Sequence, residues 1–307
     1  MCAFLYANSI SINPSFPYSL IPYPPPPRRP LLVFFVAAVV VIHNPATKAQ
    51  KFFLEHTDDI TAMAVDSSGS LCATGQCASI YDGNAMPPLV LVWDLETLET
   101  LRTIDSRNSP ANIQRTISGL CFSEDSRMLM VIGADDKHVV SIFDLADGEE
   151  PTFLADSPGQ TGPPVQVHCV CSAPEMVRSA YCADQVWITT GESSHVKFWS
   201  FKSKEGEPLS CIKGTFGDIK DPPRVMWAVE HLVGDDVTYI GGDDGSVTMW
   251  RFPGECFKRQ QLHRPGFMVY ALAGQKDGKH LWSGACVFIR LFISSSRSVR
   301  GWVSLPS

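Results

Sequence analysis

The chain is 307 residues long, carries a formal net charge of −7 at pH 7, and contains 45% hydrophobic and 19% charged residues. These values are ordinary for a packed globular protein and exclude wholesale disorder, and the acidic balance argues against a nucleic-acid binder, which normally presents a clustered basic face to phosphates. The length is compatible with a single large all-β domain, because such domains commonly contain roughly 200–250 residues.

The first segment, residues 1–30, is rich in proline, serine and tyrosine. Its run of prolines at 24–27 cannot form a helix interior or a central strand, because proline has no backbone N–H to donate. The composition therefore predicts a disordered leader over residues 1–30.

An apolar run follows at 31–42, bounded by Pro30 and Pro45. A membrane-spanning helix needs about 20 apolar residues, so this run is too short to be one. Its β-branched and aromatic residues favour a buried strand. A signal peptide or anchor is the alternative, since two arginines precede the run, but no small-residue cleavage site follows it. We expect no membrane attachment.

The rest of the chain contains an internal repeat. Stretches rich in β-branched residues end in an aromatic residue at five places: Val92-Trp93, Ile142-Phe143, Phe198-Trp199, Met249-Trp250 and Leu291-Phe292. Their spacing is close to or above the roughly 40–45 residues of one four-stranded WD blade. The pattern predicts an all-β, WD40-type β-propeller over residues 31–292, with about five recognisable blades, followed by an off-pattern serine-rich tail at 293–307.

Each unit of the repeat shows the order of elements that a blade requires. In the first unit His56 precedes an apolar strand at 60–65, a polar turn lies at 66–69, a second strand follows at 71–75, and the stretch at 90–94, which carries the aromatic residue, closes the unit. Asp and Gly in the connections suit tight turns, because Asp bonds to nearby backbone and Gly accepts positive φ.

These positions are predicted to be structural. We expect each aromatic to fill the gap between neighbouring blades and each histidine before an inner strand to form a hydrogen bond within its blade. The predicted blade residues are His56, Trp93, Asp94, Phe143, Asp144, Trp199, Asp243, Asp244, Trp250, His263 and Phe292.

Several segments carry a more specific resemblance. Residues 35–45 and 50–60, Ala-Thr-Gly-Gln at 73–76 and Lys-Gly-Thr-Phe-Gly at 213–217 are similar to the propeller of the echinoderm microtubule-associated protein-like (EMAP-like) family, and the resemblance extends over about 34–292. It implies a non-enzymatic, cytoplasmic interaction platform that binds tubulin or microtubules and organises the cytoskeleton.

Alternatives stay open beside this resemblance. One is a general WD-repeat scaffold in a ciliary or signalling assembly without microtubule affinity, which the acidic charge favours because the tubulin surface is itself acidic. Another is a hydrolase that uses one propeller face, although no convergent acids or base-paired nucleophile are visible. Fold alone does not choose between them.

The chain also departs from the family at several places. Glu55 replaces the usual glycine, residues 1–33 lack the family's upstream hydrophobic motif and coiled coil, and 281–292 lacks the Asp-Gly turn expected between two strands. About five blades is fewer than seven, and an incomplete ring leaves open strand edges. A fragment, or a divergent or mis-joined product, would explain these departures.

No motif predicts catalysis, a cofactor or a metal. Gly214–Asp218 lacks the Gly-Lys-Ser/Thr ending of a phosphate loop, and Gly191–His195 lacks the second glycine of a nucleophile elbow. The Asp pairs at 135–136 and 243–244 fit turns better than a calcium site, and His168, Cys169 and Cys171 fit a buried strand better than a zinc site. The ten cysteines, mostly in apolar strands, indicate buried thiols in a reducing compartment.

Overall fold

A computed structural model describes residues 31–81, 83–106, 110, 112–145, 150–159, 166–173, 178–179, 183–203, 209–232, 237–251, 253–274, 280–285, 288–293 and 302–304. The predicted leader, residues 1–30, lies outside the described residues. The side chains of Tyr81, His280 and the strands beyond residue 287 also lie outside them.

The described residues form six antiparallel sheets of three or four strands in sequence order, together with one two-stranded hairpin. The first has three strands: β1 (Leu32–Val36), β2 (Val39–His43) and β3 (Gln50–Phe53). The second has four: β4 (Ile60–Val65), β5 (Leu71–Gln76), β8 (Leu89–Asp94) and β9 (Thr100–Asp105), with a separate hairpin of β6 (Ser79–Tyr81) and β7 (Asn84–Met86) between β5 and β8.

The remaining four sheets repeat the four-stranded pattern. The third contains β10 (Ile117–Phe122), β11 (Met128–Gly133), β12 (Val140–Asp144) and β13 (Thr152–Ser157). The fourth contains β14 (Val167–Ser172), β15 (Gln185–Gly191), β16 (Val196–Phe201) and β17 (Leu209–Lys213). The fifth contains β18 (Met226–His231), β19 (Thr238–Gly242), β20 (Ser246–Arg251) and β21 (Glu255–Gln261). The sixth contains β22 (Val269–Gly274), β23 (His280–Ala285), β24 (Phe288–Ile293) and β25 (Trp302–Ser304). This succession of blades confirms the predicted all-β propeller architecture.

The first strands of the four-stranded sheets lie side by side at the centre. β4, β10, β14, β18 and β22, called here the inner strands, each contact the next in chain order. The second strands are buried on both faces, as in β15, where every residue is buried. The fourth strands are partly exposed. The core therefore lies between successive sheets, and the inner strands lie next to the propeller axis, called here the channel.

Large aromatic side chains join neighbouring sheets. Trp93 is fully buried and stacks on Phe53 of the first sheet, with ring centroids 4.3 Å apart and an interplanar angle of 7°. Trp250 likewise lies between Phe198 of the preceding sheet and Phe216, whose ring meets it edge-on at 4.8 Å. Burying such a ring stabilises the contact between two sheets that could not bury their faces alone.

The structure differs from the sequence-based expectation in two places. The apolar run at 31–42 was expected to form one strand but forms two, β1 and β2, which reverse at Ala37 with φ 52°. The aromatic residue of each unit was expected to end the blade, but it lies on the third strand, and a more polar fourth strand follows it.

The two ends of the propeller also carry unexpected pairings. β1 pairs with β2 on one side, and no described strand pairs with its other edge. At the opposite end, Trp302–Ser304, within the segment 293–307 expected to be off-pattern, pairs with β24 as a fourth strand. β23 and β24 form a hairpin despite the missing Asp-Gly turn, with Ala285 opposite Phe288.

Candidate interaction surface at the channel mouth

Each inner strand has a β-bulge at its second residue. The register shifts at Thr61, Ser118, His168, Trp227 and Tyr270. A bulge leaves its extra residue unpaired and re-aims the side chain. In an antiparallel sheet, the start of the first strand lies beside the end of the second, so these five residues lie at the face that carries the second-to-third-strand turns and the connections between sheets. We call them the mouth residues.

The mouth residues are small and polar on one side of the channel and aromatic on the other. Thr61 and Ser118 are small and donate to backbone carbonyls, at 2.6 Å to Ile117 and 3.3 Å to Ile132. On the other side, His168 stacks on Trp227 with ring centroids 4.2 Å apart and an interplanar angle of 17°. Trp227 then meets Tyr270 at 5.5 Å and 57°. The rings of His168, Trp227 and Tyr270 thus form a continuous aromatic arc.

The arc is open to solvent at its rim. Tyr270 is 36% exposed, and His168 and Trp227 are half-buried. The indole N–H of Trp227 is buried and has no hydrogen-bond partner among the described residues. Burial lowers the pKa of His168, an effect that the carboxylate of Glu192 partly offsets. The arc is therefore uncharged at neutral pH.

A second tier of side chains lies three residues further along the inner strands, at Ala64, Cys121, Cys171, Glu230 and Ala273. All except the buried Ala64 are half-buried. Burial raises the pKa of Glu230 to about 7, against smaller opposing contributions from the backbone N–H groups of His231 and Gly274. Burial also raises the pKa of Cys121 to about 12 and that of Cys171 well above its usual value. Both thiols are therefore neutral, and Glu230 is the one group in this tier whose charge changes near neutral pH.

Acidic side chains predominate in the loops around the mouth. The described loops on this face carry Glu55, Asp58, Asp59, Asp135, Asp136, Glu192, Asp218, Asp221, Asp243 and Asp244, against Arg115, Lys137, Lys220, Arg224 and Arg264. Some of these carboxylates are engaged, as in the ion pair between Asp136 and Arg115 at 2.8 Å. The face as a whole nevertheless presents more negative than positive charge.

The predicted blade residue His56 lies at the centre of a buried hydrogen-bond chain. Trp93 Nε1 donates to Thr74 Oγ1 at 3.1 Å, and Thr74 Oγ1 lies 2.7 Å from His56 Nε2. His56 Nδ1 lies 2.7 Å from Gln76 Oε1, and Gln76 Nε2 donates to Thr57 at 2.9 Å. The Ala-Thr-Gly-Gln segment at 73–76 therefore supplies two members of the chain.

Similar bonds recur in other sheets. Trp199 Nε1 donates to Thr189 Oγ1 at 3.0 Å, and the same oxygen lies 3.0 Å from His195 Nε2. Trp250 Nε1 donates to Thr248 at 2.9 Å, without a histidine. In the sixth sheet His263 Nε2 lies 3.0 Å from Ser283 Oγ. Phe143 is buried but has no polar atom with which to extend such a chain.

The predicted aspartates lie in turns and ion pairs. Asp94 accepts from the backbone N–H groups of Glu96 and Thr97, at 2.8 and 2.9 Å. Asp243 accepts from the N–H of Arg224 at 3.1 Å.

Asp144 lies 3.3 Å from Arg127, while Asp244 accepts from Ser246 and pairs with Arg259. Phe292 lies on β24, but its side chain is outside the described residues.

The described residues do not form the other kinds of site that the sequence raised, such as a metal site or a nucleophile elbow. No three His, Cys, Asp or Glu side chains among these residues are placed to hold a metal ion. The described cysteines are free thiols, and Cys211 is exposed. Gly191–His195 forms a strand-to-strand turn, and Gly214 packs beneath the ring of Trp250. No helix within the described ranges is long and apolar enough to cross a bilayer.

His168 was considered above only as a member of a possible metal cluster, and Trp227 and Tyr270 were not identified from the sequence. The available signal was an aromatic residue at the second position of successive apolar strands: Val167-His168, Met226-Trp227 and Val269-Tyr270. That signal becomes meaningful only when the bulge places these side chains on one side of adjacent strands.

Comparisons with known proteins agree with this architecture. The family described as "Echinoderm microtubule-associated protein first beta-propeller" matches residues 49–300. Echinoderm microtubule-associated protein-like 3 from Mus musculus is 28% identical over 255 residues, which cover 76% of this chain and 26% of that protein. Echinoderm microtubule-associated protein-like 1 from Homo sapiens is 30% identical over 245 residues, which cover 77% of this chain and 27% of that protein. The chain thus spans about a quarter of the length of these relatives.

Solved structures show the same fold at low sequence identity. The WD40 repeats of RRP9 match with a TM-score of 0.63 and 16% identity, over 88% of this chain and 74% of that one. A chain of the mitotic checkpoint complex matches with a TM-score of 0.63 and 14% identity, over 91% of this chain and 76% of that one. At these identities the likeness concerns the fold alone.

Proposed function

The chain belongs to the echinoderm microtubule-associated protein-like family, and from this premise we propose that it is a non-enzymatic interaction platform that binds tubulin or microtubules and helps to organise the cytoskeleton in the cytoplasm. The observation that carries the proposal is the match to the family's first propeller over residues 49–300. Membership supports a protein-interaction scaffold of the WD40 kind, and the step from that scaffold to tubulin rests on the names of its relatives.

The architecture supports the scaffold role on physical grounds. Successive sheets bury their faces against one another, so the loops at the two ends of the sheets and the channel mouth remain available to a partner. The partner we propose is a protein. Nucleic acid is not expected because of the net charge of −7 and the acidic loops, and neither a cofactor nor a membrane is part of the proposal.

The acidic charge favours a second candidate. Tubulin presents an acidic surface, so a net-acidic partner must bind it against long-range repulsion. A scaffold of the same fold that serves another assembly, without microtubule affinity, would face no such penalty. The two candidates differ in a measurable way.

Co-sedimentation of the full chain with polymerised microtubules across a salt series separates them, after circular dichroism has shown that the chain is folded. Saturable pelleting that persists or increases as salt screens the repulsion supports tubulin binding. Microtubules from which the acidic tails have been removed by limited proteolysis are the matched control, and they should bind at least as well. A folded chain that stays in the supernatant at every salt concentration contradicts tubulin binding and leaves the general scaffold.

A further inference from the structure

The channel mouth combines flat aromatic surface with negative charge. We propose that it binds a peptide segment through the guanidinium group of an arginine side chain, which stacks on the rings of Trp227 and Tyr270 and points toward the carboxylate of Glu230. This interaction surface does not depend on tubulin binding, and it assigns the mouth residues a role that a purely structural channel lining would not need.

The aromatic arc provides the stacking surface. Trp227 is held flat against His168 at 4.2 Å, so its position is fixed before any ligand arrives, while Tyr270 stands beside it at 5.5 Å and is 36% exposed. A guanidinium group is planar, weakly hydrated and attracted to the negative face of an aromatic ring.

The charge of the channel selects a cation. Glu230 is the one carboxylate on the five inner strands, all of whose residues are described, and these strands contain no lysine or arginine. Its side chain lies beyond the mouth by three residues, or about 10 Å at 3.3 Å per residue. Glu192 adds negative charge beside His168. A cation at the rings therefore meets opposite charge at the rim, and deeper in the channel it meets Glu230, whose pKa of about 7 makes it fully ionised only above neutral pH.

The surrounding loops favour a basic peptide over a small cation. Carboxylates predominate around the mouth, so a chain with further positive charge is attracted to the whole face and not only to its centre. The other members of the second tier are two thiols and two alanines, so none of them provides a cationic partner for Glu230.

Fluorescence anisotropy with the full chain tests the proposal directly. The probe is fluorescein-labelled Gly-Ser-Ala-Arg-Ala-Ser-Gly, and its twin has glutamine in place of arginine. We expect the arginine peptide to bind about tenfold more tightly than the glutamine peptide, since the latter loses both the stacking and the attraction to the acidic face. Tyr270→Ala should weaken binding of the arginine peptide by about fivefold or more. Glu230→Gln removes a charge about 10 Å deeper and should weaken binding by a smaller factor, which grows as the pH rises from 6 to 8 because the pKa of Glu230 is about 7.

Phe257→Ala is the matched control, because Phe257 is also an exposed aromatic in contact with an arginine, Arg251 at 4.3 Å, but lies on the outer strand of the fifth sheet. It should leave the affinity unchanged. Equal binding of the two peptides, no binding of either, or undiminished binding by folded Tyr270→Ala and Glu230→Gln proteins would overturn the proposal. Microtubule co-sedimentation is scored separately, so failure of one proposal does not mimic failure of the other.

Discussion

The imidazole of His56 and the hydroxyl of Thr74 meet at 2.7 Å inside the second sheet, and the same hydroxyl receives the indole N–H of Trp93 at 3.1 Å. Since Gln76 Oε1 accepts from Nδ1, Nε2 of His56 is the acceptor and the Thr74 hydroxyl donates to it. One hydroxyl thus satisfies two buried ring nitrogens, one in the connection before the inner strand and one on the third strand. This arrangement ties the segment before the inner strand to the second and third strands.

Thr74→Val should destabilise the protein although valine has nearly the same shape as threonine. The change leaves the buried ring nitrogens of His56 and Trp93 without a partner, and we expect a loss of about 1–3 kcal/mol in the free energy of unfolding. Urea denaturation followed by tryptophan fluorescence measures this loss. Thr103→Val is the control, because Thr103 is exposed on the outer strand β9, and it should change stability by less than about 0.5 kcal/mol. Equal effects of the two substitutions would contradict the role given to Thr74.

Gly75 should tolerate no side chain. A Cβ there would lie 2.6 Å from Cγ2 of Ile117, the fully buried first residue of the next inner strand. Gly75→Ala should therefore destabilise the protein by about 1–3 kcal/mol through overpacking.

Gly284 provides the comparison, since it also lies on a second strand but its Cβ would meet Ala271 at an ordinary 3.6 Å. Gly284→Ala should be neutral or slightly stabilising, because alanine restricts the unfolded chain. Thermal melts of both variants test the pair, and a harmless Gly75→Ala substitution would mean that the second and third sheets are not packed this closely.

Lowering the pH should destabilise the protein because His195 is buried in its neutral form. Burial, assisted by the nearby cation of Lys197, lowers the pKa of His195 to about 4, whereas the unfolded chain protonates near 6.5. The unfolded state then binds more protons between these values, so the contribution of His195 to stability is present above pH 6.5 and is lost as the pH falls toward 4. The stability advantage of the wild type over His195→Gln should narrow by up to about 1.4 kcal/mol per pH unit in this range. An advantage independent of pH would show that His195 is not buried in its neutral form.

Glu230 should change the stability in the opposite direction to His195 over an overlapping pH range. Burial raises its pKa to about 7, so the folded state holds a proton that the unfolded state has released, and stability falls as the pH rises from about 4.5 to 7. Cys121 and Cys171 stay neutral in this range and do not counter the effect. Because His195 and Glu230 oppose each other in the wild type, each is best measured as a difference from its own variant. Glu230→Gln should gain stability relative to the wild type up to pH 7 and no further, and a constant difference would contradict a buried Glu230.

Much of the fold could be predicted from the sequence because its signals are repeated. The recurring aromatics and the order of apolar strands and polar turns arise because each sheet must bury both of its faces. A repeat whose sequence pattern is weak can therefore be identified from its similarity to the other repeats. The fourth strands were missed as parts of the blades, since their half-exposed, polar pattern, as in Thr100–Asp105, carries little hydrophobic periodicity. The hairpin β6–β7 was missed for a similar reason, because Ile80 is almost fully exposed and buries no face.

The candidate site could be predicted less well from the sequence than the fold. Ala-Thr-Gly-Gln at 73–76 was recognised from the sequence as a family signature, but its structural role was not. Thr74 and Gln76 form hydrogen bonds and Gly75 packs against Ile117, and these contacts join segments that are far apart in sequence. The aromatic arc depends on three separate bulges. A bulge is a shift in pairing register, and nothing in the local composition of Met226-Trp227-Ala228 indicates it.

The outer edge of β1, which pairs with no described strand, bears on how the protein should behave in solution. Leu-Val-Phe-Phe-Val at 32–36 is apolar and β-branched, its end residue Val36 is 58% exposed, and one row of its peptide groups has no pairing strand among the described residues. Such a segment is a template for intermolecular β-pairing and, over time, for fibril nucleation. We therefore expect the chain to stay dispersed only when dilute, with light scattering that grows steeply with protein concentration and is suppressed by a single charge at Phe34.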